Sequence, residues 1–130
     1  MSMFNDTVTL YSKYVEDGTE RWKRTILCGV FWNSVEGAVL RRTGAASADR
    51  VVVLIPDTVG GYVKPKAWDA LGDKSGFWTV RPGDTLARGG VPVEIARSTR
   101  ELEGFDDVLT VTTVDDKRFG GLAHLEVSGR

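Results

Sequence analysis

One histidine and one cysteine are all that this chain of 130 residues offers to metal or nucleophile chemistry. His124 stands in an apolar stretch near the C-terminus, with no second histidine to complete a ligand set or a proton relay. Cys28 lies between Leu27 and Gly29 on a strand expected to face the core, and reads as a small buried hydrophobe. Without a second cysteine no internal disulfide forms, and no zinc site of ordinary composition can be assembled. Long hydrophobic runs are missing too. The longest, Val51 to Ile55, is five residues, far short of the roughly 20 that a membrane-spanning helix needs. The opening Met1-Ser2-Met3-Phe4-Asn5-Asp6 has neither the basic nor the apolar region of a signal peptide, so the expected location is the cytoplasm, at least initially. Nor does either sign of charge dominate. Seventeen basic against eighteen acidic residues leave a formal charge of −1, without the basic excess of a dedicated nucleic-acid binder.

The remaining chemical motifs are thin. Asp106-Asp107 and Asp115-Asp116 are paired carboxylates, but neighbours on a strand point to opposite faces and cannot converge on one substrate. They read as element ends, where Asp is favoured. The doublets Gly60-Gly61, Gly89-Gly90 and Gly120-Gly121 belong to no GxxxxGK[ST] phosphate loop and read as turns. The expectation is a protein that is not an enzyme and carries no cofactor and no metal.

What the chain does have is β-structure. Thr7 to Tyr14 and Arg21 to Trp32 are rich in β-branched and aromatic residues and flank Asp17-Gly18, a hairpin signal. Alternation puts Val8 and Leu10 on one face of the first strand, with Thr7, Thr9 and Tyr11 on the other. On the second it groups Trp22, Ile26, Cys28, Val30 and Trp32 toward a core, as in an antiparallel sheet buried on one side. Gly37 to Arg42 reads as a third strand and Val51 to Ile55 as a fourth, stopped by Pro56. Pro65 and the Trp68–Leu71 pair predict a helix of one or two turns, ended by Gly72. Phe77 to Val80 reads as a strand, and Arg81-Pro82-Gly83-Asp84 as a type II turn. Thr85 to Arg88 and Val91 to Ala96 look like a second hairpin about Gly89-Gly90. Ser98 to Glu101 has capping-box spacing, opening a short helix to about Phe105. Val108 to Val114 alternates Leu109 and Val111 against Thr110 and Thr112, and Leu122 to Val127 closes the chain. Seven to nine short strands with one or two short helices predict a mainly β fold, a small antiparallel β-barrel or sandwich. With no repeat or linker, residues 1–130 form one domain.

Four tryptophans, at 22, 32, 68 and 78, sit on separate elements and read as packing, since each ring buries a large area. The rival reading, a stacking platform, would make the protein a carbohydrate- or peptide-binding β-sandwich. Residues 42–50 are small and polar and predict a flexible loop. Arg41, Arg42 and Arg50 flank it as the one local basic cluster. With Thr43, Gly44 and Asp49 they form the candidate interface, suited to an acidic partner surface or passing nucleic acid.

Several segments together carry a resemblance: Phe4 to Tyr11, Gly29-Val30-Phe31-Trp32-Asn33-Ser34, Asp73 to Val80, Gly83-Asp84-Thr85, Glu101 to Thr110 and His124 to Gly129. From Phe4 to Arg130 the chain resembles a family of small minor structural proteins of tailed phages and prophages of Gram-positive bacteria. Its layout is more loosely similar to head-closure proteins, also called stopper or head–tail joining proteins. The resemblance implies a virion protein of the head–tail connector, or neck, acting by assembly as a homo-oligomeric ring. It implies a portal or adaptor protein on one side and tail-tube or terminator proteins on the other. It also implies transient contact of the basic loop with packaged DNA, and no membrane. A tail terminator or a minor capsid protein are the alternatives within the same class.

Overall fold

Asp17 and Gly18 both take positive φ, 52° and 76°, the type I′ geometry whose twist matches that of flanking strands. Strands β1 (Asp6–Glu16) and β2 (Thr19–Val35) therefore pair as the expected hairpin. The computed structural model describes residues 4–35, 50–117 and 123–130. The expected strand 37–42 and the loop 42–50 lie outside the described residues, apart from Arg50. The described residues add β3 (Arg50–Pro56), helix α1 (Pro65–Asp69), β4 (Thr85–Arg88), a 3-10 turn over Thr99–Leu102, β5 (Val108–Lys117) and β6 (His124–Gly129). The six strands close into an antiparallel barrel in the order β1-β2-β3-β6-β5-β4. This settles barrel over sandwich.

The interior is filled from every strand: Val8 and Leu10, Leu27 and Val30, Val53 and Ile55, Leu86, Leu109 and Val111, Leu125 and Val127. At roughly 1.5–3 kcal/mol for each fully buried aliphatic side chain, this is the main source of stability. Val80, Trp78 and the half-buried Tyr62 complete the same cluster from the connection between β3 and β4. Trp32 is also part of it; its peptide N–H donates to the Asp6 carboxylate and the Arg88 guanidinium lies 5.9 Å from its ring centre.

Several sequence expectations change. The second strand does not keep one face inward along its length. Leu27, Val30 and Trp32 point in, whereas Ile26 and Cys28 are exposed. The cause is Gly29, at φ 83°, the extra residue where the register of β2 shifts from Cys28–Thr7 to Val30–Asp6. A bulge of this kind inverts the alternation beyond it. Cys28 is thus not a buried hydrophobe.

β1 is not buried on one side only. Val8 and Leu10 face the interior, yet Thr9 and Tyr11 on the opposite side are also fully buried. The cover is the segment after β4. Val91, Ile95 and Leu102 pack with Tyr11 and Ala87 in a second cluster, Tyr11 Oη donates to Val93 O at 2.6 Å, and Thr9 Oγ1 both donates to Gly89 O and accepts from Val91 N–H. Residues 91–96 are consequently not a strand, and no second hairpin forms. β4 pairs instead with β1 and β5, which occupy both its edges.

Phe77 to Val80 forms no strand either. Only an isolated parallel bridge joins Tyr62 to Trp78. The capping box is present, with Glu101 accepting from Ser98 N–H and Ser98 Oγ from Arg100 N–H, but its helix ends at Leu102. The described residues hold six strands rather than seven to nine.

Candidate functional site

The β1–β2 hairpin runs on past the barrel as an arm, and a surface cleft of about 420 Å³ lies beside it. β4 stops pairing with β1 at Tyr11. The next position is taken over by a side chain: the Asp84 carboxylate accepts Lys13 N–H at 2.9 Å and Arg81 N–H at 3.0 Å. Pro82 and Gly83 form the turn between Arg81 and Asp84, closed by Asp84 N–H donating to Arg81 O, with Gly83 at φ 98°. Asp84 is almost fully buried. Burial pushes its carboxyl up to about 6, against the pull of the two N–H donors and of Arg81.

Above Asp84 the cleft is walled by aromatic and cationic groups from three segments. Tyr14 meets the fully buried Trp68 of α1 edge-on, at 5.6 Å between ring centres. The Lys74 ammonium sits over both rings, 5.3 Å from Tyr14 and 5.0 Å from Trp68, and donates to Leu71 O. Arg81 forks onto Asp69 at 2.6 and 2.9 Å. That bond holds the Asp69 carboxyl below its usual range.

Chemically the cleft is a clamp. Arg81, Lys74, Asp69 and Asp84 are each spent on a partner within the chain. Its role is to fix the arm to the 81–84 turn. The sequence reading missed it because its groups are scattered from Lys13 to Asp84. The one signal was Asp84 at the end of a Pro-Gly turn, where a carboxylate often bonds backbone N–H groups.

Of the sequence-predicted interface, Arg41, Arg42, Thr43, Gly44 and Asp49 lie outside the described residues. Arg50 is exposed at the start of β3, in register with Val35 of β2. The Glu126 carboxyl lies below its usual range, chiefly through its 2.7 Å bond from Lys117 and to a smaller degree through the charges of His124 and Arg50. His124 opens β6 opposite Lys117 and Pro56. Asp106, Asp107, Asp115 and Asp116 are all exposed. No group of three metal-ligating side chains occurs among the described residues, and no described helix is long and apolar enough to cross a membrane.

A different surface stands out on the outer side of β2 and β3. Exposed Ile26 and Cys28 lie there with half-buried Phe31, Val52 and Leu54, none of which belongs to either buried cluster. Phe4 packs edge-on against Phe31 at 6.4 Å. The outer side of β1 and β4 is covered by residues 89–102, whereas this side presents apolar side chains to solvent.

A family model matches residues 3–130, nearly the whole chain. The chain belongs to DUF6751, a family of unknown function. No curated protein and no solved structure matches this DUF6751 chain. Its barrel, clamp and outer apolar face therefore carry the functional argument by themselves.

Proposed function

We propose that this protein is a structural component of a phage virion, a ring subunit of the head–tail connector that acts as a head-closure or stopper protein. The observation that carries this reading is the apolar outer face of β2 and β3, with Ile26 at 44% exposure, on an otherwise closed barrel. A monomer gains nothing from presenting such a strip, whereas a subunit in lateral contact buries it. Ring assembly also needs two unlike surfaces per subunit, and the covered β1–β4 side differs in chemistry from the bare β2–β3 side. The near-neutral charge lets many copies pack closely without strong self-repulsion.

The rival reading, sugar or peptide binding by tryptophans, is weakened by burial. Trp32, Trp68 and Trp78 are at most 6% exposed, so only Trp22 remains for stacking. In the ring the expected neighbours are a portal or adaptor protein and tail-tube or terminator proteins, with transient contact of the basic cluster with packaged DNA. Immunogold labelling of negatively stained particles from a strain carrying the gene tests the reading. Label is expected at the head–tail junction. Label spread over the capsid shell would move the protein to the minor capsid class, and particles lacking the protein would end the virion reading.

A further inference from the structure

Two strands of this barrel, β2 and β5, each serve both halves of the sheet, and among the described residues each leaves part of one edge unpaired. On β1, Thr7 O accepts from Gly89 N–H at 2.6 Å and Lys13 N–H donates to Asp84 at 2.9 Å. Odd-numbered residues of β1 thus turn their peptide groups toward β4. The even-numbered ones face β2, where Leu10, Ser12 and Tyr14 stand opposite Thr25, Lys23 and Arg21. The residues between them on β2, namely Trp22, Arg24 and Ile26, direct N–H and C=O away from β1. β3 takes up β2 only from Phe31. Ahead of that point no backbone group among the described residues pairs with β2 on this side.

β5 shows the counterpart. Thr110 and Arg130 exchange N–H···O bonds at 3.1 and 3.2 Å, so Ser128 and Glu126 also face β5, opposite Thr113 and Asp115. Val114, between those two, turns its peptide groups outward. On that outer side pairing with β4 ends at Thr110, and Gly83 and Asp84 extend it only to Val111. The register shift between Val111 and Thr113 bends β5 away from that contact.

We propose that the β2 edge at Trp22–Cys28 and the β5 edge at Val114 are the two halves of a head-to-tail contact between copies of this chain, through which the sheet runs on from one subunit to the next. The inference rests on the ring reading above and names its lateral surface. The occupant is a second copy because the two edges complement each other. One is flanked by Arg21 and Lys23, the other by Asp115. Arg21 and the carboxylate that it bonds within the chain, Glu16, are both solvent-exposed, so that pair is worth little and exchanges readily. An edge that no described residue pairs with invites strand addition, and the apolar strip of Ile26 and Cys28 lies directly along the β2 edge. The two surfaces are unlike, as a heterologous contact requires.

Cys28, the sole cysteine, lies exposed at the end of the β2 edge and serves as the probe. Thr113→Cys and Asp115→Cys, both at exposed positions of β5, each add one partner thiol. Under mild oxidation the wild-type protein forms no more than dimers. At least one of the two variants is expected to give a ladder of dimers, trimers and higher species on non-reducing gels, fading as salt is raised. Adding Ile26→Pro, which removes an N–H that β1 does not use, should abolish the ladder while the circular dichroism spectrum is kept. The absence of a ladder from both cysteine variants overturns the edge pairing. If light scattering then still shows oligomers, the ring stands on another surface, and the gold label at the junction tests the neck reading independently.

Discussion

Replacing Gly129 by alanine should loosen the barrel where it closes. Gly129 is in register with Val51 of β3 on one side and Val111 of β5 on the other. A Cβ built on it would lie 2.2 Å from Thr110 O, 2.6 Å from Leu109 Cδ1 and 2.9 Å from Thr110 C. The Leu109 methyl could swing aside, but Thr110 O is backbone and must move with its strand. That oxygen also accepts from Arg130 N–H, and Thr110 N–H donates to Arg130 O. Overpacking costs about 1–3 kcal/mol, and the two strained hydrogen bonds add roughly 1 kcal/mol each. The sum, about 3–5 kcal/mol, is a large part of the roughly 5–15 kcal/mol that holds a domain of this size. Urea denaturation followed by tryptophan fluorescence measures it, and the thermal midpoint should fall by roughly 10 °C or more. Gly72→Ala is the control, since its Cβ meets nothing within 4 Å, and it should change stability by less than about 0.5 kcal/mol. If Gly129→Ala matched that control, the pairing of β6 with β5 described above would be wrong.

Three further outcomes are expected. Burial raises the Asp84 carboxyl to about 6 in the fold from an ordinary value of 3.8, so its protonation favours the folded state. Stability from this group is full below pH about 4 and is lost as pH rises through about 6. Relative to Asp84→Asn, the wild type should lose up to about 3 kcal/mol between pH 4 and 7 in urea titrations, and parallel pH curves for the two proteins would refute this. Trp68→Ala empties the fully buried base of the clamp and should cost about 3–5 kcal/mol, with faster hydrogen exchange in the arm around Tyr14. Tyr11→Phe removes the bond to Val93 O and should cost about 1 kcal/mol, with exchange faster at residues 91–95 but unchanged in β6.

Much of the local structure was legible in short stretches of sequence, because its causes are local. Asp17-Gly18 determined the hairpin, Pro65 the first turn of α1, Pro82-Gly83 the turn ahead of β4, and Ser98 with Glu101 the capped turn. The alternation of Leu109 and Val111 against Thr110 and Thr112 gave the inward face of β5. Each rests on a φ preference, a side chain bonding its neighbours, or a period of two.

The clamp and the edges left unpaired among the described residues were not legible, because their parts meet only through the fold. Val91, Val93 and Ile95 alternate as a strand would, yet the edges of β4 were already taken by β1 and β5, so that segment became the cover over Tyr11. The sequence by itself determined a mainly β chain with a single histidine and a single cysteine, since composition and strand period depend on no distant contact. Only the tertiary structure decided which faces are buried and which edges stay open. Alternation says that neighbouring side chains part company, but a single added residue such as Gly29 exchanges inside for outside. No residue on its own strand records which other strand will arrive to cover it.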